Sequence, residues 1–525
     1  MNLFLRLFFL FIFLQQGIIS SAQPGILEGL LQDSDTKSPI TGASINLGVT
    51  NKSDNTDAFG TFRFVNVAPG QYELIASHIG YRTEIVPVEI KAGIASTIAV
   101  QMRKSTVDLS EIKLNSKKTN SFNSIGQVDI RLRPINSSQD ILRMVPGLFI
   151  AQHAGGGKAE QLFLRGFDID HGTDIGLSVD GMPVNMVSHA HGQGYADLHF
   201  VIPETIDRTV FDLGPYASDK GNMATAGFVD FHTKDFLEKN MVKTEAGSFN
   251  SRRIATLLKI TDKEFATGKR QLYMASEYAG SDGYFESPQN FHRINLLGKY
   301  NVWNGNQSNI TIITSVFDSR WNASGQVPQR AIANGDISRY GAIDNTEGGN
   351  TSRINLTVRL AKQWRNNWKV TGQVYYVHYH FNLYSNFTFF LEDSVDGDQI
   401  RQRESRDIIG TTATAARTST IWSKKTITSV GTGFRMDNIR DNQLSRTVRR
   451  KYLSLVQKGD VGEINAFSWW DQKLELNDKL SFSAGIRADY FHFIYRDELS
   501  ATGKRLQQHR TTLSPKLNLQ YSPSN

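Results

Sequence analysis

The chain has 525 residues, 39% hydrophobic and 21% charged, which is ample apolar material for several folded cores. A mean hydropathy of −0.34 excludes a helical membrane protein by composition, but not a β-barrel, whose alternating strands dilute their hydrophobicity. The absence of cysteine excludes disulfides, thiolate metal sites and a cysteine nucleophile. The net charge of +7 is spread out, without the basic clusters interleaved with aromatics that would point to nucleic acid as a partner.

The chain opens on a leader pattern. Arg6 precedes the apolar run Leu7–Leu14, and Ser20-Ser21-Ala22 places small residues before Gln23. This is the pattern of a secretory signal peptide over residues 1–22, too short for the ~20 residues that a spanning helix needs.

Residues 23–102 are strand-rich. Ser44–Leu47, Thr61–Val65 and Tyr72–Ala76 alternate, Pro69-Gly70 marks a turn, and Ile98, Val100 and Met102 share one face. About seven short strands predict a β-sandwich. Asp57–Phe64, Pro69–Leu74 and Gly80-Tyr81 together make this block resemble the carboxypeptidase-regulatory-like family. The resemblance implies no peptidase chemistry, and no metal triad is present.

Residues 103–122 form a polar linker containing Asp108-Leu109-Ser110-Glu111-Ile112-Lys113-Leu114. Its plain reading is a hinge. Its functional reading is an extended segment that adds as a strand to a partner.

Residues 123–236 carry the densest set of motifs. Ser137–Met144 predicts a short helix with a serine cap, stopped by Pro146-Gly147. Arg165-Gly166, Asp180-Gly181-Met182-Pro183, Ile206-Asp207-Arg208, Gly214-Pro215 and Thr233-Lys234 follow in order. The series resembles the plug domain of TonB-dependent outer-membrane receptors. That resemblance implies outer-membrane lipid and the TonB energy-coupling complex as partners, and it makes Asp108–Leu114 a candidate TonB box.

Six of the 12 histidines fall between His153 and His232, and His171, His189, His191 and His199 lie close to Asp168, Asp170, Asp174 and Asp197. A His-x-His pair on extended backbone puts two imidazoles on one face, and imidazole with carboxylate suits transition metals. The expectation is substrate binding by His171, His189, His191, His199 and Asp197, with His189, His191 and His199 as candidate metal ligands. The competing reading is a polar loop whose His and Asp bond to backbone. No cofactor is expected; a transition metal would be substrate. Ser188, His189 and Asp197 lack a nucleophile elbow, so no enzyme is expected.

From Met241 onward the pattern is period two. Ile354, Leu356, Val358 and Leu360 oppose Asn355, Thr357 and Arg359, and Leu480–Tyr490 and Leu513–Tyr521 repeat the scheme. Charges such as Arg359 and Arg487 on one face suit a polar lumen. Trp364, Trp368, Tyr375, Tyr376, Tyr379, Trp469 and Trp470 suggest interfacial aromatics, and Ser319–Arg353 and Asp393–Arg406 suggest long external loops. Residues 237–525 have room for about 11 to 14 strands at ~10 residues plus turns. Plugged transporters have about 22, so an incomplete barrel is expected.

The fold class predicted is therefore mainly β: a sandwich, an α+β plug, then an antiparallel transmembrane β-barrel that is incomplete. The function implied is energy-coupled uptake of a scarce nutrient, a small molecule or metal chelate. The alternatives are uptake of carbohydrate or another large nutrient with a lipoprotein partner, and a non-transporting binding or adhesion protein.

Overall fold

A computed structural model describes residues 24–34, 37–40, 42–48, 50, 52–57, 59–78, 81, 83–103, 124, 125, 135, 137–152, 156–169, 172–192, 194–265, 268–304, 308–364, 368–421, 424–477 and 479–521. The expected leader, the Asp108–Leu114 segment, His153 and His171 lie outside them. The chain divides into two compact units, Met1–Val107 and Asp108–Asn525.

The first unit is a sandwich of seven strands: β1 (Gly25–Asp33), β2 (Ser44–Leu47), β3 (Lys52–Asn55), β4 (Thr61–Val67), β5 (Gly70–Ser77), β6 (Glu84–Ile90) and β7 (Ala95–Met102). One sheet runs β4-β1-β7, the other β3-β2-β5-β6. Alternation puts Leu27, Leu31, Ile45, Leu47, Leu74 and Met102 in the core with no exposure. Burying each such side chain contributes roughly 1.5–3 kcal/mol. The Asp57 carboxylate accepts from the Phe59 and Thr61 amides at 2.9 and 2.8 Å, which closes the turn ahead of β4. The Tyr81 hydroxyl donates to the buried Asp33 at 2.7 Å.

The second unit begins with the plug. Its elements are β8 (Ser124–Ile125), α1 (Ser138–Leu142), β9 (Leu148–Ala151), β10 (Gln161–Leu164), β11 (Phe167–Asp168), β12 (Ile175–Val179), β13 (Met182–Pro183), β14 (Ile206–Leu213) and β15 (Gly227–Thr233). They form the sheets β11-β10-β9 and β13-β12-β15-β14-β8. The helix forms where the serine cap predicted it, with the Ser137 amide donating to Asp140 at 3.1 Å, and it ends at Leu142 rather than Met144.

Twelve antiparallel strands follow in a single sheet of sequential neighbours. They are β16 (Met241–Gly247), β17 (Ser251–Phe265), β18 (Gly268–Ser281), β19 (Phe291–Asn304), β20 (Ser308–Asn322), β21 (Gly348–Gln363), β22 (Trp368–Ser385), β23 (Ile400–Ile421), β24 (Lys424–Val448), β25 (Lys451–Glu475), β26 (Leu480–Asp497) and β27 (Arg505–Tyr521). Strands β16 and β27 are its edges. A short helix α2 (Gln329–Asn334) sits in the connection between β20 and β21.

The expected alternation holds. Ile354, Leu356, Val358 and Leu360 are 44–49% exposed on the outer face, while Asn355 and Thr357 are buried inside. Apolar outside and polar inside is the pattern of a membrane barrel.

Two expectations are corrected. The external connections are 323–347 and 386–399, shorter than Ser319–Arg353 and Asp393–Arg406, because β20 runs on to Asn322, β21 starts at Gly348 and β23 at Ile400. Residues 400–406 look loop-like because both of their faces are polar, with Glu404 and Arg406 buried inward and Arg401 and Arg403 outward. Second, Tyr375 and Tyr379 are not interfacial. They join Val377, Phe381 and Leu383 in an inward apolar stripe, each at most 3% exposed. The plug fills the lumen there, so the inner wall of β22 is a core surface.

Candidate functional site

The plug sequence folds around two tight turns. Arg165 and Gly166 have φ of 48° and 87° between β10 and β11; Asp180 and Gly181 have φ of 48° and 80° between β12 and β13. Successive positive φ values are the two-residue hairpin geometry that Asp-Gly favours. Pro146-Gly147 closes α1 against β9, Gly214 (φ 85°) ends β14, and its amide donates to Ala226 at 2.7 Å, ahead of Pro215.

Asp180 does more than turn the chain. Its carboxylate accepts from the Thr233 amide at 3.0 Å and from the Thr233 hydroxyl at 2.5 Å. Two motifs 53 residues apart in sequence are thereby joined. Lys299 on β19, almost fully buried, donates to Thr233 O at 3.1 Å and pairs with Asp235 at 3.0 Å. Tyr273 on β18 donates to Lys234 O at 2.8 Å.

Similar ties run around the sheet. Glu204 takes Arg253 of β17 in a two-pronged pair at 2.7 and 2.6 Å. Arg208, another motif residue, is part-exposed and lies 3.7 Å from its neighbour Asp207. Arg435 of β24 donates to Asn185 O at 2.8 Å, Ser218 reaches Asp471 of β25 at 3.1 Å, Arg487 of β26 donates to Asp219 O at 3.2 Å, and Lys516 of β27 donates to Pro215 O. The sheet therefore curls around the plug, touching it from β17 to β27. Apart from Arg487, these wall residues were not singled out in the sequence. The usable signal was a charged residue on the non-apolar face of an alternating strand.

The histidines are built into this contact. His189 is buried, its ring stacked on Tyr195 with centroids 4.2 Å apart, and its Nε2 lies 3.3 Å from the Tyr379 hydroxyl and 3.8 Å from Glu404. His191 Nδ1 lies 3.1 Å from the Gln402 side-chain oxygen. Between them the Ala190 amide donates to Glu404 at 2.8 Å. Arg406, with no side-chain exposure, bonds Glu404 and Asp437 at 2.9 Å each and donates to Ser188 O at 2.5 Å. The Ser188–His191 loop is thus clamped by β22 and β23.

His199 is elsewhere, buried, with Nδ1 2.7 Å from Asp197. Burial would raise the Asp197 carboxyl, but the facing His199 outweighs it and holds the acid below its ordinary range. Glu160 lacks such a partner. Burial pushes it up to about 7 against the pull of His199 and Arg143, and its Oε2 has no hydrogen bond among the described residues. The expected metal ligands His189, His191 and His199 do not converge. Among the described residues no group of three or more His, Asp or Glu is placed to hold a metal ion.

The comparisons agree with this architecture. Residues 115–228 match the TonB-dependent receptor plug domain, and residues 27–114 match the CarboxypepD_reg-like domain. The fold is similar to that of the unliganded ferric citrate transporter FecA, with TM-score 0.62 at 14% identity over 77% of this chain. It is also similar to the copper transporter OprC (TM-score 0.55, 15% identity, 75% of this chain and 58% of that one). The ferripyoverdine receptor of the outer membrane of Pseudomonas aeruginosa matches with TM-score 0.58 at 13% identity, over 76% of this chain and 55% of that one. The chain spans about 60% of the length of the ferric citrate transporter.

Proposed function

We propose that this chain, which carries a TonB-dependent receptor plug within the fold of such receptors, acts in the outer membrane of a Gram-negative bacterium. There it serves energy-coupled uptake of a metal ion or metal chelate. The observation that carries this reading is the plug itself, a separate sheet-bearing body tied to the surrounding wall from β17 to β27 by buried polar contacts. Such a body closes a lumen, and its removal from the path requires work. The supply of that work is assigned to the TonB complex acting on Asp108–Leu114 by strand addition.

The metal reading draws on the solved neighbours, which are a ferric citrate transporter, a copper transporter and a ferripyoverdine receptor. The matched proteins are transporters and receptors, and catalysis is not proposed. The Ser188–His191 loop is given the role of linking an incoming substrate to the plug, because its contacts with Tyr379, Gln402 and Glu404 would shift when the loop moves. The test is cellular accumulation of ferric citrate, a ferric siderophore and a copper salt, with and without His189→Ala and His191→Ala. Uptake of one of these that drops in the double variant supports the reading. No uptake of any metal species above an uncoupled control sinks it.

A further inference from the structure

The outer face of the sheet changes character within one residue pair. Ile294, Leu296, Val316, Ile354 and Leu356 are 44–47% exposed and form an apolar band. One step past Val316 and Ile354, ~7 Å at 3.4 Å per residue, the same face presents Asp318 and Ser352, level with Ile294, and beyond them His292, Arg320, Asn350, Asn382 and Tyr384. A cleft of about 320 Å³ opens there, with His292, Arg320, Asn322, Asn350, Tyr384 and Arg450 in its lining.

Two cations here, Arg450 in the lining and Arg401 beside it across the Tyr384 ring, are held by neutral groups. Arg450 donates to Thr346 O at 2.6 Å, to Asn322 Oδ1 at 2.9 Å and to Glu347 O at 3.0 Å. Arg401 donates to Asn382 Oδ1 at 2.6 Å. Both guanidiniums stand over the ring of Tyr384, at 5.4 and 5.6 Å. Neither has a carboxylate in ion-pair range among the described residues, and the one that Arg320 has, Asp318, is 3.7 Å away. Two fixed, uncompensated guanidiniums beside asparagine and histidine suit a phosphate, which takes forked N–H donors.

We propose that this cleft binds the phosphorylated headgroup of an outer-leaflet glycolipid, whose acyl chains lie along the apolar band below it. The assignment rests on the outer-membrane reading. It commits to a lipid because the lining residues His292, Arg320, Asn350 and Tyr384 lie on the outward face of the sheet, away from the lumen where cargo would pass, and at the level where the apolar band ends.

The test uses the full-length protein in neutral detergent, titrated with diphosphoryl lipid A, dephosphorylated lipid A and inorganic phosphate. The diphosphoryl form is expected to bind at least about tenfold more tightly than the dephosphorylated one, and Arg401→Ala with Arg450→Ala to remove most of that difference. Arg450→Lys keeps the charge and is expected to retain binding. Asn350→Asp adds a competing negative charge without touching the Arg450 contacts and is expected to weaken binding, so the test survives if the double alanine variant misfolds.

Equal affinity for both lipids, or an unchanged Asn350→Asp variant, overturns the site. Inorganic phosphate competing at the lipid's own concentration overturns the lipid assignment in favour of a soluble anion. Density-gradient fractionation reports membrane location separately. Protein found in the outer membrane that ignores the phosphates refutes the cleft and leaves the receptor reading standing.

Discussion

Glu160 offers a pH test whose sign and size follow from its setting. It is 6% exposed in the plug, ahead of β10, and its carboxyl is raised from 4.5 to about 7 by burial. Raising an acid's pKa on folding means the folded state binds the proton more tightly. The folded state is then favoured below pH ~4.5 and loses that stabilisation as pH rises toward 7, beyond which the loss is constant. At 1.36 kcal/mol per unit, a rise from 4.5 to about 7 is a loss of roughly 3 kcal/mol. Glu160→Gln keeps the shape and removes the titration. The assay is thermal unfolding of wild type and variant in the same detergent between pH 4.5 and 8.5. The two should lie closest at pH 4.5, and the variant should be the more stable by about 3 kcal/mol at pH 8. Taking the difference between the two proteins cancels every other titrating group that Glu160 does not touch. Curves that stay parallel across the range, or a wild type that gains on the variant as pH rises, would refute the reasoning.

Other consequences are direct. Arg406→Met leaves Glu404 buried without its cation, leaves Asp437 to Arg435 alone and frees Ser188 O, which should cost about 3–5 kcal/mol and open the plug to limited proteolysis; an unchanged digestion pattern counts against the clamp. Gly181→Ala should cost about 1–2 kcal/mol in unfolding experiments, since φ is 80° and the new Cβ would meet only the flexible end of Gln373, leaving backbone strain as the main term. Leu31→Ala, at a position with no exposure, should destabilise the sandwich by about 2–5 kcal/mol, read as a shift of its own unfolding transition within the full chain.

What could be read from the sequence was whatever depends on local period and turn chemistry. Alternation in 354–360 and 480–490 gave strand, face and polarity together, because one side of a barrel strand meets lipid and the other does not. Asp180-Gly181 gave a hairpin because few residue pairs tolerate two positive φ values. The misreading of the aromatics comes from the plug inside the sheet. Tyr375 and Tyr379 look like part of an interfacial aromatic girdle until a second body covers the inner wall. Arg353 falls at the end of a stretch expected to be an external loop. Yet it is 1% exposed, with its guanidinium 4.6 Å from the centre of the Phe200 ring. The histidines stand out by their density in the plug, but spacing alone could not say that His189 would stack on Tyr195 while His199 turned to Asp197. Which strand meets which plug loop is a long-range matter that no local pattern encodes.

The central claim is that the plug is moved by energy supplied through Asp108–Leu114. It is tested most directly by time-resolved accumulation of a radiolabelled iron or copper chelate in cells carrying either the wild-type protein or a variant lacking those seven residues. The account predicts that both proteins bind the chelate at the surface equally and that only the wild type accumulates it, with dissipation of the membrane potential abolishing the difference. Equal accumulation by the two, or accumulation that persists without the membrane potential, would contradict it.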